Sequence, residues 1–389
     1  MRECSTRSGN LADSLIVRMS SVARACGAIN LAQGFPDFDP PQPVLDRLSQ
    51  VARSGPHQYA VTYGAPNFRE ALARLQAPRM GIPIDPETQV VVTCGATEAI
   101  LCAMMALCDP GDRVVVFSPF YETYVADAEL VGATPTFVEL HAPDFTFDDA
   151  ELERACSLPG TKAIVLNDPS NPSGRVFGAD ELASIARAAE RHDLYVITDE
   201  VYERIVYAPH RHVPFAGLPG MDGRTISCGS LSKTYSMTGW RIGYLIAPPA
   251  LAERARRVHD YVSIAAPAPL MEAATAALEL PDSYYDDLGA LYRRKRDLFC
   301  GGLREAGVPF FEPQGTFFVM CDLSELGYDS DVELADDLAR RVGVAAVPCS
   351  GFFAARENRF VRVHFAKGDD VLREALSRLE GWREKMGRG

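Results

Sequence analysis

The 389-residue sequence has no run of about 18 uncharged apolar residues, so no membrane span is expected. The nearest approach, Val90 to Cys108, is broken by Glu98 and reads as a strand followed by a buried helix. The opening stretch from Met1 to Arg7 lacks the apolar core of a signal peptide, and export is not expected. Positive charge is also short: 39 Lys and Arg face 52 Asp and Glu, a net charge of −13. That surplus argues against nucleic acid or an anionic membrane as partner, while leaving room for a local basic pocket that holds a small anion. Among ten cysteines there is no CxxC pair, and several sit in apolar runs, as Cys102 does between Leu101 and Ala103. They read as reduced, buried thiols of a cytoplasmic protein. The seven histidines show no HExxH spacing, so no metal site is expected. With 47% hydrophobic and 23% charged residues, the chain is long and apolar enough for a large core, and disorder is excluded.

What is present is alternation. Short β-type runs at Gln89–Thr93, Arg113–Phe117, Thr134–Glu139, Lys162–Asn167, Leu194–Thr198, Thr225–Cys228 and Arg241–Ala247 are interleaved with helical patterns such as Thr97–Leu107 and Ala179–Arg191. This predicts an α/β fold with a mostly parallel sheet covered on both faces. After about residue 285 the texture changes. A charged helix around Leu291–Glu305, strands at Phe317–Asp322 and Phe360–Phe365, and a helix at Val332–Arg341 predict a smaller α+β domain. The expected division is an N-terminal segment 1–40, a large domain 41–285 and a small domain 286–389.

Several familiar patterns fail on inspection. Gly229-Ser230-Leu231-Ser232-Lys233-Thr234 ends like a P-loop, but no glycine precedes the lysine. Ser230 to Lys233 also spells SxxK, without the SDN and KTG partners of penicillin-binding enzymes. No GxGxxG follows a strand. What remains is Lys233 among the hydroxyls of Ser230, Ser232 and Thr234, with Arg241 eight residues on, a composition suited to a phosphate cup. Taken alone, it is better explained as a solvated lysine in a surface loop. Three other segments stand at strand ends. Thr93-Cys94-Gly95-Ala96-Thr97-Glu98 is a strand-to-helix turn whose amides can receive a phosphate, or simply cap the helix. Asp168-Pro169-Ser170-Asn171-Pro172 is a stiff turn, and Asp199-Glu200-Val201-Tyr202 puts a carboxylate where burial is costly without a cation.

In this order, the four segments resemble the class I/II pyridoxal phosphate-dependent aminotransferases of fold type I, over nearly the whole chain. Asn30-Leu31-Ala32-Gln33-Gly34-Phe35-Pro36-Asp37-Phe38, Gln58-Tyr59 and Thr238-Gly239-Trp240-Arg241 are similar to the subgroup of kynurenine aminotransferase, glutamine transaminase K and methionine aminotransferase. The resemblance implies a large doubly wound, mostly parallel sheet domain plus a smaller α+β domain, pyridoxal 5'-phosphate as cofactor, and a homodimer. It implies that Lys233 forms the imine with the cofactor and later moves the substrate's α-proton, and that Asp199 pairs with the ring nitrogen. Asn171 and Tyr202 would bond the ring's phenolic oxygen, and Tyr121 would stack on the ring. Gly95, Ala96, Thr97, Ser230 and Arg241 would hold the phosphate, joined by Tyr59 from across a twofold interface. Gly34, Asn171 and Arg362 would receive the substrate, with Arg362 clamping its α-carboxylate.

Two departures stand out. Asp168 brings a carboxylate where the family more often has a small or uncharged residue, and is expected to alter the pocket. An aliphatic residue near Ile16 replaces the subgroup's aromatic. The expected reaction is amino transfer between an α-amino acid and an α-keto acid. The alternative is another reaction of the same cofactor on the same scaffold: β- or γ-elimination, cyclisation or oxidation. A non-catalytic binding module is disfavoured by the complete set of cofactor residues.

Overall fold

The computed structural model describes residues 5, 9 and 11–387. Cys4 and, Ser5 apart, the stretch 1–7 that was read for a signal peptide lie outside the described residues. The described chain enters through helix Leu15–Cys26 and strand β1 (Ile29–Asn30). The main sheet has seven strands: β2 (Val90–Thr93), β3 (Arg113–Ser118), β4 (Thr134–Glu139), β5 (Thr161–Asn167), β6 (Tyr195–Asp199), β7 (Thr225–Ser230) and β8 (Gly243–Ile246). Their spatial order is β2-β8-β7-β6-β5-β3-β4. Only β8 runs antiparallel to its neighbours.

Alternate side chains leave opposite faces of a strand, and both faces here are apolar. Val115, Ile164, Leu166 and Val196 join one core with helix Ala179–Arg191. Val114, Val116, Val165 and Ile197 join another with helices Ala96–Leu107 and Pro249–Val262. Local signals start these helices. Pro66 and Pro249 occupy first-turn positions of Pro66–Met80 and Pro249–Val262, where a missing N–H costs nothing. Asp148 caps Asp149–Cys156 through the amide of Ala150, 2.8 Å away.

The remaining strands are β9 (Phe318–Asp322), β10 (Val344–Ala345), β11 (Val347–Pro348) and β12 (Phe360–His364). β11, β12 and β9 form a small antiparallel sheet, and β10 pairs in parallel with β1. Thus the N-terminal segment is tied to the C-terminal part of the chain, with Arg18 bonding Asp336 through both guanidinium nitrogens at 2.8 and 2.7 Å. Residue 285 falls inside one continuous helix, Asp282–Glu305, which runs through the change in sequence texture.

Candidate active site

The direction of β8 builds the site. Its first residue, Gly243, stands opposite both Thr93 and Ser230, the last residues of β2 and β7. Arg241, just before β8, therefore arrives at the edge where the parallel strands end. Its Nη1 donates to the Thr238 carbonyl at 3.1 Å, and its Nη2 approaches that of Cys94 at 3.4 Å. Backbones pack so closely here that a Cβ on Gly243 would collide with Gly95 and Ala96, and one on Gly95 with the Arg241 guanidinium. Gly95 also has φ +83°, so glycine is required there on both counts.

Along this edge lies a cavity of about 400 Å³. Ala96, Thr97, Tyr121, Asn171, Asp199, Tyr202, Ser230, Lys233 and Arg241 line it from the sheet side, and Gly34 and Arg362 from the chain's two ends. Gly95 forms the turn behind the wall without lining it. Tyr59 is not brought in: its side chain is 83% exposed outside the cavity.

Three cations, Lys233, Arg241 and Arg362, face a single carboxylate, Asp199, among the lining residues. Lys233 Nζ donates to the Gly34 carbonyl at 3.1 Å. Burial, aided by the charges of Arg362 and Arg241, brings its pKa down to about 8. Asp199 is buried at the end of β6, which pushes its pKa up, while hydrogen bonds from Tyr124 Oη (2.7 Å) and Val201 N (3.2 Å) hold it down. Arg362 is almost wholly buried on β12, between the rings of Phe318 and Phe352 at 4.1 and 4.9 Å. One Nη donates to Asn171 Oδ1 at 2.5 Å and the other to the Ala32 carbonyl at 3.3 Å, while its Nε is buried without a partner.

Among the lining residues that sequence reasoning missed, two are polar partners of Asp199 and Asn171. Tyr124 sits in the first turn of helix Thr123–Val131, one turn after Tyr121, and nothing local says that its hydroxyl meets Asp199. Asn167 had a signal: it ends β5 directly opposite Asp199 on β6. Its Nδ2 donates to the Asp199 carbonyl at 3.0 Å and its Oδ1 accepts from the Asn171 amide at 2.7 Å, fixing the turn that presents Asn171. Asp168 corrects an expectation. It does not line the cavity; it is buried behind it, accepts from the Phe177 amide at 3.0 Å, and burial raises its pKa to about 7. Ile16 does line the cavity.

These residues fit pyridoxal phosphate. Asp199 is a buried carboxylate that enters no ion pair among the described residues, as a protonated ring nitrogen requires. Arg241, Ser230, Ala96 and Thr97 bring a guanidinium, hydroxyls and the start of a helix to the same cavity, donors suited to a phosphate, and Lys233 lines the wall with them.

Comparison with known proteins agrees. The family model for aminotransferase class I and II matches residues 27–379. A probable N-succinyldiaminopimelate aminotransferase of Mycobacterium tuberculosis is 39% identical, with 96% of this chain and 97% of the relative covered. The methionine aminotransferase of Escherichia coli is 35% identical over 95% of this chain and 96% of its own. The solved structure of the M. tuberculosis N-succinyldiaminopimelate aminotransferase superposes with a TM-score of 0.93, covering 98% of this chain and all (100%) of that one. This chain belongs to the class I and II aminotransferases, and is a pyridoxal phosphate-dependent enzyme of fold type I.

Proposed function

We propose that the Lys233 cavity carries out the amino transfer, on α-amino acids with uncharged side chains. The observation that carries this reading is the charge inventory of the cavity. Its three cations are each matched by one anionic or reactive group: Arg241 by the cofactor phosphate, Arg362 by the substrate α-carboxylate, Lys233 by the cofactor aldehyde. Among the described residues no further cation lines the wall for a side-chain carboxylate, and Ile16, Phe35 and Phe318 offer apolar surface.

When bound, pyridoxal phosphate supplies the aldehyde that condenses with amines and the ring that accepts the electron pair of the broken Cα–H bond. Lys233, whose amine burial brings down to about 8, reaches its basic form far more readily than an ordinary lysine, and so can take the proton from the substrate Cα and return it elsewhere. Arg362 offers a planar fork to the α-carboxylate, oriented by Asn171 and the Ala32 carbonyl. Asp199, raised by burial and bonded by Tyr124 Oη, would be held ionised by pairing with the protonated ring nitrogen. Tyr202, seated edge-on against Phe317 and Phe318 with its ring 5.9 Å from Lys233 Nζ, would donate its hydroxyl to the cofactor's phenolic oxygen.

The active unit in this reading is a homodimer. Tyr59 and its neighbour Val61 are exposed, as are Tyr261, Val262 and Ile264, an apolar surface that suits a second copy. Tyr59 would then reach the partner's phosphate. Nine unpaired cysteines among the described residues favour a reducing, cytoplasmic setting. A panel of amino acids tests the substrate class. Methionine and other uncharged donors should give the highest kcat/KM. Preference for N-succinyldiaminopimelate or a dicarboxylic amino acid would overturn it, because the required cation is missing from this wall.

A further inference from the structure

Behind the turn that begins helix Ala96–Leu107 lies a buried polar cluster that does not line the cavity. Glu98 Oε2 accepts from the Cys94 amide at 2.5 Å, and Oε1 accepts from Ser263 Oγ at 2.5 Å. His259 Nδ1 is 2.7 Å from Glu98 Oε1, and its Nε2 is 2.9 Å from the Thr62 carbonyl. A carbonyl can only accept, so Nε2 carries a proton. Burial pushes Glu98 up, but its bonds to His259, Ser263 and the Cys94 amide hold it below its ordinary value, so it is an ionised acceptor. Its Oε1 lies nearer to Nδ1 than Ser263 Oγ does (3.2 Å), so Nδ1 carries a proton too. His259 is an imidazolium with no exposed surface, paired with a buried Glu98.

We propose that Glu98 and the His259 imidazolium form a charged brace, a pair of positioning residues that fixes the phosphate-binding turn Cys94–Thr97 and ties it to the segment carrying Tyr59. The inference rests on the assignment of that turn and of Tyr59 to the cofactor phosphate. The links are direct: Glu98 holds the Cys94 amide, and His259 holds the Thr62 carbonyl three residues after Tyr59. Next to Thr62, the Tyr63 carbonyl accepts from Val92 of β2 at 3.0 Å, so the strand leading into the turn is bound to the same segment.

The brace has a charge requirement. Should the ring lose a proton, one of its two bonds is lost, and a buried carboxylate is left uncompensated one turn from the phosphate. The grip on the phosphate then weakens as pH rises through the His259 titration. The groups around the ring are Glu98 and Cys102 from helix Ala96–Leu107, Asp260 from its own helix, and Ser263, whose hydroxyl is 3.2 Å from Nδ1. Glu98 and Asp260 raise the His259 pKa, against burial that lowers it. Burial holds the thiols of Cys94 and Cys102 above their ordinary value, so neither supplies a competing charge.

The test uses the holoenzyme and reads the phosphate directly. Cofactor release is followed by visible absorbance, and the bound phosphate by its phosphorus NMR shift, from neutral to alkaline pH. In the wild type the phosphorus resonance should step once and release should quicken about tenfold or more, the worth of a hydrogen bond to a charged group. Glu98→Gln preserves the hydrogen bonds around a neutral ring, so the step should vanish. His259→Gln should release cofactor faster than wild type at every pH; if it fails to fold, Ser263→Ala serves as the milder variant. A wild-type pH step in Glu98→Gln, or wild-type release from His259→Gln or its substitute Ser263→Ala, would overturn the brace. Arg241→Ala separates the two levels. If it too holds cofactor as wild type does, the phosphate assignment itself is wrong; if it alone releases faster, only the brace is.

Discussion

Arg362 enters the cavity already oriented but not satisfied: two of its nitrogens are engaged and Nε is buried without a partner. Arg362→Ala should therefore cost α-amino acids about 2–5 kcal/mol of binding, because the incoming carboxylate is left buried and unpaired. Arg362→Lys should recover only part, since an ammonium supplies charge without the two-point fork. Amines lacking a carboxylate should be hurt much less, and equal losses for both ligand kinds would indicate general damage. Lys233→Ala should lower turnover by at least about a thousandfold while leaving the fold and the phosphate contacts in place. Multiple turnover near the wild-type rate would remove Lys233 from its role. Lys233, Asp199, Asn171 and Arg362 were singled out through the family resemblance, and all four line one cavity. Tyr124 was not, since its meeting with Asp199 spans 75 residues of sequence and depends on how one helix packs. Asp168 was misjudged for the opposite reason. Its neighbours in sequence line the site, but its own side chain turns to the Phe177 amide.

The seven strands of the main sheet, with β9 and β12, were readable to within two residues at each end, because a sheet buried on both faces writes itself as short apolar runs. The two-residue strands β1, β10 and β11 were not expected. Thr134–Glu139 and helix Ala179–Arg191 coincide with their expected bounds. Local pattern could not show that β8 is the reversed strand, yet that reversal puts Arg241 beside Gly95. Nor could it show that Val332–Arg341 is a helix to Asp337 followed by a wider π turn. One helix carries a testable liability. Asp127, in Thr123–Val131, is 5% exposed; its Oδ2 has no partner, and burial raises its pKa from an ordinary 3.8 to about 7. The folded state thus binds this proton more tightly than the unfolded state does, so its contribution to stability falls as pH rises from about 4 to 7. Relative to wild type, Asp127→Asn should gain on the order of 4 kcal/mol across that window, read as denaturation midpoints at the two pH values. A gap that does not change with pH would place the carboxylate in contact with water.

For the whole molecule, the chain's two ends form one wall of the cavity and the main sheet the other, with Gly34 and Arg362 facing Lys233. One subunit still leaves Tyr59 outside. Sedimentation at assay concentration should therefore find a dimer, and Tyr59→Phe should loosen the cofactor by about 1.5–3 kcal/mol, one hydrogen bond to a charged group. A fully active monomer would contradict this arrangement. Sequence placed Tyr59 by likeness alone, since no single-chain pattern reports what lies across an interface. The central claim is that this cavity transfers an amino group rather than releasing it. Its most direct test mixes the holoenzyme with excess methionine and no keto acid, and counts the products. The expected result is one keto acid per bound cofactor, no free ammonia, and renewed turnover only when a keto acid is added. Continuous keto acid and ammonia without an acceptor would contradict it, and would assign the cavity to elimination or oxidation.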